Sequence, residues 1–417
     1  LGGIGLVGGG TLLTSCGSDE ASGPVKFAIR STTESGIAIG EAVAAAYTAE
    51  TGIEVTAQST GDTGAFQDGI SQYLQGTPDD CFQWMAGWRT NFRADQGLLV
   101  DLSDNISNLG DQMPDGFVSG ATNPTDGKQY IVPGTWYPWA LHYRRSTMTE
   151  LGLDPESIST WDDFMKLLDG TQKKGLIGYA LGDSGGWEAM GTFDILNVRI
   201  NGYDYHIDLL NGRQKWTDPK TLEVFKQFEL LIPYMNKNVL DISWEGMRDL
   251  LLQRKCGAMM MGSWFANNFL DQSQEDYDDL SVVPFPEINP EFGRDSIDAP
   301  VDGMCAATNS ANPEGGAAFA EWLGSEAGML AAQAAGETNF FANSRLDSSK
   351  FDAFNKQKLA VMSEVKNVMN FLDRDCRNDF ASTIVAPAIQ NFLKGPKEIN
   401  GILDGMQEAW DALPELN

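Results

Sequence analysis

The sequence predicts an α/β protein of two lobes, each a mostly parallel sheet flanked by helices. Three observations carry this. Strand-like and helix-like segments alternate from Val25 to Met85, an order that favours a parallel sheet with helices on both faces. The same style returns between Thr160 and Met261. At 417 residues, with 42% hydrophobic and 10% aromatic content, the chain is long enough to bury two cores.

The elements follow in order. Residues 25–30 read as a strand, 36–50 as an Ala-rich helix, and 53–58 as an alternating second strand. Phe66, Ile70, Tyr73 and Leu74 recur at helical spacing, and Cys81 to Met85 form a third strand. Thr160 and Asp163 form a capping box that opens a helix with Trp161, Phe164, Leu167 and Leu168 inward. Residues 176–181 are a strand. Asp218-Pro219 starts a helix with Pro at its first position. Ser243 caps a helix through Met247, Leu250 and Leu251, before an apolar strand from Cys256 to Met261. Asn312-Pro313 opens a helix through Phe319, Trp322 and Leu323. An amphipathic helix with Ile399, Ile402, Leu403, Met406, Trp410 and Leu413 ends the pattern.

The formal net charge of −29 argues against nucleic acid, whose binding rests on Lys and Arg meeting phosphates, and against broad contact with anionic lipid. The first sixteen residues carry an address. Leu13-Thr14-Ser15-Cys16 closes an uncharged, apolar, Gly-rich run. That run is shorter than the roughly 20 residues a membrane span needs, and has the size of a signal h-region. Residues 1–15 are expected to belong to a signal peptide. Cys16 is expected to be lipidated, with 16–23 as a flexible tether holding the protein on the outer face of the cell membrane.

Cys81, Cys256, Cys305 and Cys376 remain, either as two disulfides or as buried thiols. No two of them lie close in sequence and only His142 and His206 exist, so neither a metal nor a cofactor is expected. Gly3 to Gly8 fits GxGxxG, but no strand precedes it. Gly182-Asp183-Ser184-Gly185-Gly186 fits GxSxG after a strand. A hydrolase of that type needs an acid and then a His well downstream, and only His206 follows, too near to leave room for the intervening strands. No enzyme is expected. Aromatics fall instead at strand ends and in loops: Trp88, the Trp136-Tyr137-Pro138-Trp139 cluster, Trp187 and Trp264. Aromatic faces suit the C–H faces of a pyranose, and Asp, Asn and Arg suit its hydroxyls.

These residues resemble a known family. Cys81 to Gly87, Pro133 to Trp139, Phe193 to Asn197, Gly262-Ser263-Trp264 and Ala299 to Gly303 are similar to stretches of the extracellular solute-binding proteins of carbohydrate ABC importers, the group containing maltose-binding protein. The resemblance implies a two-lobed, type II periplasmic-binding-protein-like fold with hinge crossings and a central cleft. Lobe one would hold 24–133 and 287–342, and lobe two 134–286 and 343–417. It implies a monomer that closes on a mono- or small oligosaccharide and delivers it to membrane permease subunits, attached to the membrane by its lipid alone.

Carried over by position, the resemblance implies ligand contacts from Glu34, Asp62, Trp88, Arg89, Trp136, Tyr137, Trp187, Asp194, Asn197, Trp264, Asp302 and Asn339. Because a bridge between lobes would block closure, it further implies the pairings Cys81–Cys305 and Cys256–Cys376. Three rival readings stay open: an extracytoplasmic lipoprotein glycosidase or esterase, a binder of a polyamine or peptide, and a surface adhesin.

Overall fold

The computed structural model describes residues 23–414. The proposed signal segment and Cys16 lie outside them. Among the described residues no helix is long and apolar enough to cross a membrane.

The first sheet has six strands. β1 (Val25–Ile29) lies between β2 (Val55–Ser59) and β3 (Cys81–Met85) and is parallel to both. The links are the Glu34–Thr51 and Thr63–Gln75 helices. Thr33 accepts the Gly36 amide and Asp62 the Ala65 amide, so each helix begins on a side-chain cap at the strand's carboxyl end. β4 (Val132–Trp136) and β5 (Trp139–Arg144) come next in the chain, but only β4 joins this sheet.

The second sheet runs in the order β6 (Ile177–Ala180), β7 (Cys256–Gly262), β5, β8 (Leu280–Val283), with only β6 and β7 parallel. β9 (Ser296–Asp298) later pairs with β12 (Asn367–Met369) in a small ribbon. β10 (Val301–Ala306) and β11 (Phe340–Phe341) complete the first sheet, in the order β11-β4-β10-β3-β1-β2. β10 is antiparallel to β3 and to β4. Both sheets are therefore mixed rather than mostly parallel. A strand that arrives directly from the other lobe enters from the cleft end, and no helical crossover turns it round.

Sheet membership also moves the crossings. The first falls at Tyr137-Pro138, after β4, rather than near Pro133. The second falls at Ala299-Pro300, between β9 and β10, rather than near Pro286. Residues 134–136 thus belong with the first lobe. Residues 287–298 go with the second, where Ile297 shares a core with Phe285 and Leu141. The third crossing follows β11: Leu346 still packs on the first lobe's core, and Phe354 lies in the second's.

Cores follow the strand periodicity. On one face of the first sheet Phe27, Ile29 and Cys81 pack with Phe319 and Tyr47, while Ala28, Phe82, Trp84 and Cys305 pack on the other. The second lobe has one large core, joined by Leu403 and Met406 of the last helix. The Thr160–Asp163 capping box is present, as are the Asp218 and Asn312 caps. Ser243 sits at the cap position of the Trp244–Leu252 helix, but its hydroxyl bonds the Glu245 side chain rather than the backbone.

The expected disulfides do not form. Cys81, Cys256, Cys305 and Cys376 are all buried free thiols. In the β10–β3 register Cys305 faces Phe82 and Ala306 faces Cys81. The one-residue offset sends the two sulfurs to opposite faces of the sheet. Cys256 opens β7, about 20 Å along the strand from its cleft end. Cys376 instead closes the Leu372–Asp375 turn of helix, which lies at the cleft.

Candidate functional site

The carboxyl ends of β1 and β3 and the start of β10 meet the start of β5 and the end of β7 around a cavity of about 250 Å3. The first lobe contributes Arg30, Thr33, Gln83 and Asp302. The second contributes Trp139, Trp187, Trp244, Trp264, Phe371 and Asp373. Tyr137 lies at the crossing between them.

Aromatic rings form two groups on the second lobe's side. Trp139 stacks on Phe371 at 4.6 Å between centroids with 28° between planes, and Trp187 meets both edge-on at 6.4 and 6.3 Å. Trp244 and Trp264 pack edge-to-face at 4.4 Å. Two glycines make room. A Cβ at Gly191 would stand 2.3 Å from Trp139, and one at Gly262 would stand 2.8 Å from Trp139 and from Trp264, and 2.9 Å from Tyr137. The Gly-Ser-Trp sequence therefore has a packing reason: the glycine is the floor on which three site aromatics rest.

The polar side is an ion-pair network that spans the lobes. Arg374 donates to Asp302 Oδ1 at 2.8 Å, to the Val301 carbonyl at 3.0 Å and to the Tyr137 hydroxyl at 3.1 Å. Asp302 Oδ2 accepts from Arg30 at 3.0 Å and from Tyr137 at 3.1 Å. Burial works against the Arg374 charge, yet Tyr137 and Asp302 outweigh it and hold its pKa above the ordinary range. Arg89 donates to Asp373 Oδ2 from both Nε and Nη2. The Thr338 hydroxyl bonds Asn267 of the other lobe, and buried Lys358 donates to the Thr338 carbonyl at 2.6 Å. At Gly87, where φ is +84°, a Cβ would lie 2.4 Å from the Arg374 carbonyl oxygen, so the lobes touch there through backbone.

Asp183 and Glu188 sit behind Trp187, buried, each with one unpartnered oxygen. Burial pushes both carboxyls up, Asp183 to about 7 and Glu188 to about 8, and the charge of Asp183 adds to the rise at Glu188. Ser184 is exposed in its turn, while His206 is fully buried against Asn197 at 3.0 Å, with its pKa pushed down to about 3 by burial. Ser184 and His206 do not meet.

Of the twelve residues expected to line the cleft, five do: Tyr137, Trp187, Trp264, Asp302 and Asn339. Seven do not. Glu34 is exposed at the start of its helix, and Asp62 is exposed and serves as a helix cap. Trp88 is half-buried away from the cavity. Arg89 is buried behind Asp373. Trp136 packs on Phe340 and Phe117 in the first lobe. Asp194 is fully buried and accepts the Leu372 amide at 2.7 Å, and Asn197 bonds His206 and Asn201. A polar residue on a fully buried helix turns inward to satisfy its neighbours, which the residue type alone does not reveal. The sequence reading missed Trp139 as a lining residue, and missed Arg30, Trp244, Phe371, Asp373 and Arg374 altogether.

Known proteins share this architecture. The sequence model of the bacterial extracellular solute-binding proteins matches residues 31–330. An ABC transporter extracellular-binding protein of Pyrococcus horikoshii is 24% identical over 225 residues, 52% of this chain and 49% of that protein. The chain thus matches about half the length of this relative. Among solved structures, the bacterial solute receptor AcbH is 32% identical with a TM-score of 0.88, covering 94% of this chain and 99% of its own. It is described as having an exclusive preference for β-D-galactopyranose. A chitin oligosaccharide binding protein is 20% identical with a TM-score of 0.80, over 94% and 98% of the two chains. A Thermotoga lettingae solute-binding protein bound with α-D-tagatose is 17% identical with a TM-score of 0.74, over 93% and 98%. These likenesses show the two-lobed α/β solute-binding fold.

Proposed function

The chain belongs to the bacterial extracellular solute-binding proteins, and on that premise we propose that it is the receptor of an ABC importer for a mono- or small oligosaccharide. The single observation that carries the reading is the make-up of the cavity. Tryptophans of the second lobe stand beside a charged, hydrogen-bonding network drawn from both lobes, which suits a ring with apolar faces and equatorial hydroxyls. At about 250 Å3 the space is below the roughly 300–1,000 Å3 of pockets for drug-sized ligands, and favours one pyranose ring. The lining aspartates are met by Arg30, Arg89 and Arg374, a poor cage for a polyamine.

Ligand contacts to both lobes at once would shift the population toward the closed form, and that form would dock on the permease subunits. No bond is made or broken. The proposal includes the address: Cys16 carries the lipid that keeps the receptor, as a monomer, at the outer face of the cell membrane. Cys16→Ser should release the protein into the medium, and its retention at the membrane would remove the anchor.

A thermal-shift and calorimetric screen of D-galactose, D-glucose, D-xylose and N,N′-diacetylchitobiose tests the ligand class. At about 100 times its dissociation constant a true ligand adds about 2.7 kcal/mol of stability. A shift with at least one sugar is expected. Silence from every sugar in both measurements would overturn the reading.

A further inference from the structure

We propose that Asp373 is the carboxylate that accepts a ligand hydroxyl in this cleft, and that Arg89 is its positioning residue, reaching across from the opposite lobe. This rests on the sugar-receptor reading.

Two aspartates line the cavity, and the protein treats them differently. Asp302, the natural choice from sequence, is already occupied: Arg374 holds Oδ1, while Arg30 and Tyr137 hold Oδ2. Asp373 is 5% exposed, and both of its bonds from Arg89 fall on Oδ2. Its other oxygen, Oδ1, is buried and has no partner. A fork-to-fork Arg–carboxylate pair would have used both oxygens. Here the guanidinium engages one oxygen and leaves the other without a donor, on a residue that lines the cavity. A buried acceptor without a donor is costly, and a hydroxyl entering the cavity supplies the donor.

The two halves of this device come from different lobes. Arg89 follows β3 in the Trp88–Ala94 helix of the first lobe. Asp373 sits in the Leu372–Asp375 turn, which Asp194 ties to the second lobe through the Leu372 amide. The acceptor is therefore oriented only where the lobes meet. Separating them strips Asp373 of its counter-ion as well as its orientation, so the wall that reads the ligand is completed by closure itself. The same geometry sets a specificity. An oxygen that only accepts welcomes a neutral sugar's hydroxyl and repels a sugar carboxylate, so a uronate should be excluded.

Calorimetry of wild type, Asp373→Asn, Arg89→Met and Arg89→Lys with D-galactose and D-galacturonate tests this, alongside small-angle scattering of the sugar-free proteins. We expect at least tenfold weaker galactose binding in Asp373→Asn and in Arg89→Met, partial recovery in Arg89→Lys, and no galacturonate binding to wild type. We also expect a larger radius of gyration for sugar-free Arg89→Met. A purely structural Arg89 would lower the melting temperature and leave the affinity of the folded protein unchanged. Galactose affinity within twofold of wild type in Asp373→Asn overturns the acceptor role, and equal affinity in Arg89→Met overturns the positioning role. If wild type binds no galactose, the scattering decides: identical radii for wild type and Arg89→Met overturn the cross-lobe device, whatever sugar the receptor takes.

Discussion

Trp139 and Phe371 stack 4.6 Å apart although they lie more than two hundred positions apart in the chain, and Gly191 is the reason they can. A Cβ on Gly191 would stand 2.3 Å from the Trp139 ring and 3.1 Å from Phe371. The stack joins the first strand of the second lobe to the turn that carries Asp373 and Arg374. Its integrity therefore fixes both the aromatic and the charged parts of the cleft.

Gly191→Ala should destabilise the protein by about 1–3 kcal/mol through overpacking, with a comparable cost for Gly262→Ala. Chemical denaturation with tryptophan fluorescence checks both. Wild-type stability in either variant would mean that the rings shift aside without penalty.

Trp264→Ala should weaken sugar binding by roughly tenfold, equivalent to about 1.4 kcal/mol, while the melting temperature changes little, because Trp264 is only half-buried. Trp136→Ala should do the reverse, because that ring packs on Phe340 and Phe117 outside the cavity. Calorimetry and melting curves on the two variants separate the roles.

Stability should carry a signature of the Asp183–Glu188 pair. Burial raises both folded-state pKa values, so the native protein holds protons that the unfolded chain releases. The native state is then favoured below the ordinary carboxylate range and loses that advantage as pH rises from about 4 through 7–8. Glu188→Gln should flatten this descent. Unfolding free energies of wild type and variant across pH 4–9 test it; a constant difference between the two curves would remove the pair from the account.

In a Cys16→Ser background, a thiol reagent should find essentially nothing in the native protein and four thiols after denaturation without reductant. Burial raises the pKa of each thiol as well as hiding it. A count of two or none in the denatured chain would restore a disulfide.

Much of the scaffold was legible because its signals are local. The Thr160–Asp163 capping box, the Asp218-Pro219 and Asn312-Pro313 starts, and the alternation of β1 to β3 each depend on residues within one element. The site was legible in part. Trp187 and Trp264 stand beside glycines at strand ends and do line the cavity, whereas Trp88 and Trp136, with the same kind of neighbours, do not. Their fates depend on which residue from elsewhere covers them. Asp373 and Arg374 were missed because nothing local distinguishes them. Their chemistry comes from Arg89 and Asp302, which are distant in sequence. The crossings were misplaced by three residues at one end and about a dozen at the other, because a strand's sheet membership is a long-range property.

Gly87 gives the experimenter a doorstop. It lies outside the cavity, and its missing side chain is what lets the backbone of one lobe rest against the Arg374 carbonyl of the other. A single added methyl group, less than a bond length too long for the gap, would press on the Arg374 backbone and prop the jaws ajar while leaving the tryptophan side untouched. A receptor so wedged could still be met by a sugar on one side, and would report how much of its grip is bite and how much is mere adhesion.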